Sequence, residues 1–178
     1  MHPAIEQLAY DFLVDHGFHR LPITLTDLTG AIRSEGFDIV MYADAQELPL
    51  CIPPKYAAQP AVTYISAEGT GTVYSSTVFP LEERAFCLAH ELGHIALRHT
   101  GLLAYGLSDS VCEKEADAWA YALLAPAPVL RCMGVYSVDD MQRYTSLDER
   151  RAAAALARVQ GYQLRPSDLR LVAQFIVG

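Results

Sequence analysis

One ten-residue stretch, at 88–97, constrains the fold and the chemistry of this chain more than any other. It reads Leu-Ala-His-Glu-Leu-Gly-His-Ile-Ala-Leu and contains the pattern His-Glu-x-x-His. Residues four positions apart lie on one face of an α-helix, so His90 and His94 can point their imidazoles at the same place. Two neutral imidazoles at this spacing provide half of a zinc site, and Glu91 beside them can act as a base toward water. The alternative interpretation is an ordinary amphipathic helix that carries two histidines.

Composition narrows the class of protein. The chain has 178 residues, of which 52% are hydrophobic and 19% are charged, and this balance favours one folded domain with a real core. The net charge of −8 opposes binding to a phosphate backbone, so we expect no direct contact with nucleic acid. The first residues lack a basic region followed by an apolar run, and no stretch of 18 apolar residues occurs, so we expect no membrane association. The four cysteines are far apart in sequence and are expected to be reduced thiols, which favours a cytoplasmic location.

The first eighty residues predict two helices followed by a small, largely antiparallel sheet. Apolar spacing predicts helices over 3–16 and from Thr24 or Thr26 to Gly36. Runs rich in β-branched and aromatic residues predict strands at 37–42, 61–66 and 72–78, with a hairpin between the last two, and a further short strand is possible at 48–52.

The second half of the chain predicts helices only. The motif helix is expected to begin at Pro80 and to stop at Gly101, with an apolar stripe along one face. A strongly helical segment follows at 111–124 and is ended by the prolines that begin at Pro126. Three more helices are expected near 138–144, 148–159 and 167–176. We predict a single domain, 1–178, with an α+β catalytic core at 1–126 and a C-terminal helical appendage at 127–178.

A catalytic zinc usually has three protein ligands, so one ligand remains to be found. The continuation with a third histidine, known from metzincins, is excluded because Leu97 and Thr100 occupy the required positions. Glu113, at the start of the next helix, is the predicted third ligand. Asp117 lies one turn further along the same face, where it could accept a hydrogen bond from a ligand imidazole.

Several residues have alternative interpretations. Ser110 and Glu113 also fit a capping box, which would turn Glu113 back onto the helix end. Glu115 is another candidate ligand, although it lies on a different face of the helix from Glu113. His99 is expected to point away from the metal face. The oxyanion-stabilising residue is left open, with Tyr105 and Tyr121 as candidates.

Two blocks of this sequence resemble the ImmA/IrrE family of zinc metallopeptidases. The first block, 84–94, reads Arg-Ala-Phe-Cys-Leu-Ala-His-Glu-Leu-Gly-His, and the second, 113–126, reads Glu-Lys-Glu-Ala-Asp-Ala-Trp-Ala-Tyr-Ala-Leu-Leu-Ala-Pro. The helix and strand layout before them is also similar, so the resemblance covers roughly residues 5–126. Cys87, Trp119 and Ala125 depart from the residues usual in the family, and none of them is a proposed ligand.

The resemblance implies a gluzincin-like fold with Zn²⁺ held by His90, His94 and Glu113 and with Glu91 as the catalytic base. Members of the family often cleave a helix-turn-helix repressor, so the resemblance implies a regulatory protease with one such protein partner, in a mobile element or a stress response. Two other hypotheses remain: a non-proteolytic metal-binding regulator that docks to a transcription factor, and a metal-free helical domain. An intact Glu91 disfavours the first, since a purely structural metal site needs no base.

Overall fold

The computed structural model describes residues 3–50, 52, 58–99 and 109–177. Its elements, in chain order, are α1 (Pro3–Asp15), α2 (Leu25–Ser34), β1 (Asp38–Tyr42), β2 (Ala61–Ile65), β3 (Gly71–Ser76), α3 (Leu81–Ala96), α4 (Asp109–Leu124), α5 (Ala127–Cys132), α6 (Val138–Tyr144), α7 (Glu149–Gly161) and α8 (Leu169–Ile176). The chain divides into two compact units, one formed by 25–117 and the other by 1–24 together with 118–178. The predicted α+β fold is confirmed.

The three strands form one mixed sheet in the order β1-β3-β2. Strands β2 and β3 pair antiparallel, with Thr63 opposite Val73, as the predicted hairpin requires. Strand β1 pairs with β3 in parallel, so only one of the two pairings is antiparallel. The sequence pattern predicted the strands themselves, but the parallel pairing depends on a connection that passes through β2 and leaves no mark on local periodicity.

The short strand considered at 48–52 does not form over the residues that the structure describes in this range. Leu48 and Ile52 are nevertheless buried, and they pack with Tyr42 into a small cluster. Partly buried side chains from the two neighbouring strands cover this cluster: Val62, Tyr64 and Tyr74. The apolar pattern therefore indicated burial correctly, whereas the predicted backbone conformation was wrong.

Helix α3 begins directly after Pro80, which is confirmed at the helix start. Its buried face is made of apolar and small residues: Ala85, Phe86, Leu88, Ala89, Leu92, Gly93 and Ile95. This face packs against α2 and against strands β2 and β3. Because the two motif histidines border the buried face, the packing of α3 against the sheet fixes their positions.

Helix α3 ends earlier than the sequence predicted. The expected stop, Gly101, lies outside the described residues, and the last helical residue is Ala96. Arg98 takes the left-handed conformation, with φ of 59°. The amides of Arg98 and His99 then donate to the carbonyls of Ile95 and His94, at 3.1 and 2.8 Å. These two bonds form a Schellman cap, with arginine at the position where glycine is usual.

The other unit joins α1 to the C-terminal helices. Helix α1 packs against α8, and α7 packs against α5 and α6. Polar contacts link the N-terminal and C-terminal parts of this unit, among them Arg158 to Glu6, at 3.1 Å, and the Ser146 hydroxyl to the carbonyl of Ile23, at 2.7 Å. The division into a core at 1–126 and an appendage at 127–178 stays a prediction.

The helices predicted near the C-terminus are confirmed as α6, α7 and α8, but the sequence analysis missed α5. We interpreted the prolines at Pro126 and Pro128 as a helix end. In the structure Pro126 is the N-cap of α5 and Pro128 lies in its first turn, where the missing amide hydrogen costs nothing. Among the described residues, no helix is both long and apolar enough to cross a membrane.

Candidate metal centre

The side chains of His90, His94 and Glu113 converge on one point. The two Nε2 atoms of the histidines lie 3.0 Å apart. The Glu113 carboxylate faces both rings, with Oε2 at 3.3 Å from Nε2 of His90 and Oε1 at 3.4 Å from Nε2 of His94. Ligands about 2.0–2.1 Å from a tetrahedral zinc ion lie about 3.3 Å from one another. Each imidazole nitrogen therefore lies at about this spacing from one oxygen of Glu113, a different oxygen for each ring, and one donor atom from each residue lies within 4.8 Å of the others.

Asp117 lies where the helix spacing placed it. Its Oδ1 atom is 2.9 Å from Nδ1 of His90. A carboxylate only accepts hydrogen bonds, so Nδ1 carries a ring proton, and in the neutral ring Nε2 then keeps a free lone pair directed at Glu113 and His94. This is the tautomer in which an imidazole binds a metal through Nε2.

The surroundings shift the pKa values of the two histidines in opposite directions. Burial, followed by the neighbouring His90 and His99 rings, lowers the pKa of His94 to about 4. Burial also opposes the charged form of His90, but the hydrogen bond that His90 donates to Asp117 and the nearby carboxylates of Glu91, Asp117 and Glu113 raise its pKa. His94 is therefore neutral at pH 7, which is the form that can act as a ligand.

Glu91 lies beside the histidines and is held by the sheet. Its Oε2 atom accepts a hydrogen bond of 2.5 Å from the hydroxyl of Thr63, in the middle of β2. Burial raises the pKa of Glu91, and the bond from Thr63 and the nearby His90 partly offset this. A carboxylate with a raised pKa next to a candidate metal centre suits general-base chemistry.

Two residues, His99 and Glu115, lie behind His94. His99, expected to point away, lies with Nδ1 at 3.3 Å from Nδ1 of His94, and its Nε2 atom lies 3.1 Å from Oε2 of Glu115. His99 is not one of the three converging donors, but the helical position expected for it was wrong, because the helix ends at Ala96 and the Schellman cap reverses the chain there. No glycine marks that cap, so the sequence offered no signal for it.

The sequence left open a capping-box alternative for Glu113 and two tyrosines as candidates for stabilising the oxyanion. Ser110 lies within α4 and not at its N-cap, and the Glu113 carboxylate faces the histidines. Tyr105 lies outside the described residues. Tyr121 belongs to the other unit, where its ring lies 5.0 Å from the guanidinium of Arg158. The oxyanion-stabilising role of either tyrosine stays a prediction.

These features define a class of protein. An α+β unit in which a small mixed sheet supports a His-Glu-x-x-His helix, followed by a helix that presents a carboxylate to both histidines, has a zincin-type metallopeptidase fold. The sequence profile of the IrrE N-terminal-like domain, Peptidase_M78, matches residues 56–158. The chain belongs to this metallopeptidase family, as its two motif blocks predicted.

Comparison with solved structures finds a protein with a similar fold. A Mycobacterium tuberculosis transcriptional regulator has a similar structure, with a TM-score of 0.63 and 15% sequence identity. The match covers 93% of this chain and 48% of that protein, so this chain spans about half of its length. At this identity the similarity shows the fold alone. A comparison with curated proteins found no match.

Proposed function

We propose that this protein is a zinc-dependent endopeptidase. The observation that carries the proposal is the convergence of His90, His94 and Glu113, whose donor atoms lie within 4.8 Å of one another, with Glu91 held beside them. Membership in a metallopeptidase family supports the same conclusion. Two imidazoles and one carboxylate suit Zn²⁺, and such catalytic sites keep one position open for water or substrate.

In this proposal each side chain has a defined task. Zinc bound by the three residues would supply Lewis acidity toward the scissile carbonyl and toward the attacking water. Glu91 accepts the proton of that water and transfers it to the leaving amine. The Thr63 hydroxyl orients the Glu91 carboxylate, and Asp117 holds the His90 ring with its Nε2 lone pair toward the site.

The proposed substrate is a protein, specifically a helix-turn-helix transcriptional repressor in the cytoplasm. The resemblance to ImmA/IrrE proteins supports this substrate class, and the structurally similar mycobacterial protein is described as a transcriptional regulator. The net charge of −8 supports a role that acts on the repressor protein and not on its DNA.

The variant Glu91→Gln tests the proposal most sharply. Glutamine keeps the size and polarity of the side chain but removes the group that accepts the water proton. We expect the variant to retain its zinc and its fold and to lose cleavage by about 10²–10⁴-fold. The measurement pairs zinc content with partner cleavage on a gel. Glu82→Gln is the matched control, because Glu82 is exposed in the first turn of the same helix.

A reporter in cells separates this proposal from the docking hypothesis. If the protein is a protease, Glu91→Gln should abolish relief of repression, whereas Glu82→Gln should preserve it. Unchanged reporter output in the absence of any cleavage would instead favour a non-proteolytic regulator that docks to the transcription factor. Retained zinc with undiminished cleavage would remove Glu91 from the mechanism.

A further inference from the structure

A chain of three side chains leads away from the metal centre. It runs from His94 through His99 to Glu115 and ends at a carboxylate that is partly exposed. The side chain of His99 is only 3% exposed and that of Glu115 is 20% exposed. His99 uses both ring nitrogens in this chain, one toward His94 and one toward Glu115.

The chemistry of the partners fixes where the protons lie. Glu115 can only accept, so Nε2 of His99 carries a proton and donates it to Oε2 across 3.1 Å. In a neutral His99 ring, Nδ1 is then an acceptor. The facing Nδ1 of His94, at 3.3 Å, must therefore be the donor, and Nε2 of His94 keeps its lone pair.

The result mirrors the arrangement at the other histidine. His90 donates from Nδ1 directly to Asp117, whereas His94 donates from Nδ1 to His99, which in turn donates to Glu115. When both rings are neutral, each thus directs an unprotonated Nε2 at the same point, with 3.0 Å between the two atoms. Two lone pairs facing each other at this distance repel unless a cation lies between them, so each tautomer has to be held by its partner.

We propose that His99 and Glu115 are positioning residues that fix the tautomer and the ring orientation of His94 for metal binding. The inference rests on the proposed metal site, although its first consequence is measurable without metal. It assigns Glu115 a role that differs from that of Glu113: Glu115 acts through two imidazoles and never touches the ion. The Schellman cap at Arg98 makes the arrangement possible, because it turns His99 back toward His94.

The direct test reads the tautomer of His94 in the metal-free protein. Long-range ¹H–¹⁵N correlation spectra of the histidine-labelled full chain distinguish Nδ1–H from Nε2–H rings, and a His94→Gln variant assigns the signal. We expect the Nδ1–H form of His94 in the wild type. In His99→Phe, which keeps a ring but removes the acceptor, the Nε2–H form should become dominant. In His99→Gln, whose carbonyl oxygen can accept from His94, the Nδ1–H form should return.

Zinc affinity gives the second readout, by competition with a chromophoric chelator. We expect about 10–100-fold weaker binding in His99→Phe, as is usual when the partner of a ligand histidine is lost. The decrease should be smaller in His99→Gln. Glu115→Ala, at a less buried position, should shift both readouts in the same direction, and it carries the test if His99→Phe does not fold. The control is Lys114→Ala, which removes an exposed side chain from the same turn of α4.

The outcomes separate this inference from the proposed function. An unchanged His94 tautomer in both His99→Phe and Glu115→Ala overturns the inference, whatever the metal affinity. Tight zinc binding by the wild type with unaltered affinity in both variants also overturns it, and leaves the metal site standing. Failure of the wild type to bind zinc overturns the proposed function, and the tautomer measurement still decides the role of His99.

Discussion

Glu113 and Glu115 lie two positions apart on α4, and each contacts a different part of the site. The carboxylate of Glu113 faces Nε2 of both His90 and His94, whereas that of Glu115 faces His99. Successive turns of a helix bring together residues four apart, and residues two apart diverge by about 200°. The separation of the two glutamates therefore follows directly from helix geometry.

Replacing each glutamate by glutamine should give unequal losses of zinc affinity. Glu113→Gln removes an anionic ligand, so we expect a decrease of more than about 100-fold, beyond the range typical of residues outside the ligand set. Glu115→Gln keeps an oxygen that can accept from His99, so its loss should stay at or below about 10-fold. Competition titrations with a chelator measure both. Equal losses, or a greater loss at Glu115, would contradict the assignment of Glu113 as the third metal ligand.

The same spacing rule explains how much of the site the sequence could predict. It placed His90 beside His94, and Glu113 beside Asp117, because each pair lies within one regular helix. It failed at His99, which follows a non-glycine residue with positive φ. Such residues are uncommon and carry no reliable sequence signal, so the link from His94 to Glu115 was visible only in three dimensions.

At the scale of elements, the hairpin of β2 and β3 places Thr63 against Glu91 of helix α3. Gly71 begins β3, and the ring of Phe37 fills the space beside it. A Cβ atom built on Gly71 would lie 2.2 Å from Cε1 of Phe37. The glycine is therefore required by close packing of this ring at the start of the strand.

Gly71→Ala should destabilise the protein, because the added methyl group forces the Phe37 ring to move. We expect a decrease of about 1–2 kcal/mol in the free energy of unfolding, measured in urea. Gly30→Ala is the matched control: a Cβ atom there meets nothing within 4 Å, and the position lies inside α2. That variant should gain about 0.5–1 kcal/mol. A neutral Gly71→Ala would show that Phe37 is not fixed in place.

The elements also show where local sequence reasoning stops. Alternating and helical patterns located all three strands and seven of the eight described helices. Local patterns did not predict the parallel pairing of β1 with β3, because strand order is set by packing between segments more than thirty residues apart. Helix α5 was not predicted for a different reason, since the same prolines that end one helix can begin the next.

At the scale of the whole molecule, the C-terminal helices share a compact unit with α1. Two ion pairs connect them. Arg158 contacts Glu6 at 3.1 Å with both side chains largely buried, and Arg170 contacts Asp15 at 3.8 Å with both side chains exposed. Sequence reasoning predicted the C-terminal helices only as an appendage, because an ion pair across 152 positions leaves no local signature.

The two pairs offer a matched comparison. Arg158→Ala leaves the Glu6 carboxylate buried without its cation, so we expect a loss of about 3 kcal/mol in the free energy of unfolding. Arg170→Ala breaks an exposed pair and should change it by less than about 1 kcal/mol. Urea unfolding curves measure both. Similar small effects would show that the Glu6–Arg158 contact does not stabilise this unit.

The central claim is that His90, His94 and Glu113 hold one zinc ion. The most direct measurement is elemental analysis of the full chain, purified without added metal and again after equilibration with zinc. We expect close to one equivalent of zinc per chain, since three converging ligands form a complete catalytic set. Less than about a tenth of an equivalent of any transition metal, with no uptake after zinc is added, would contradict the account.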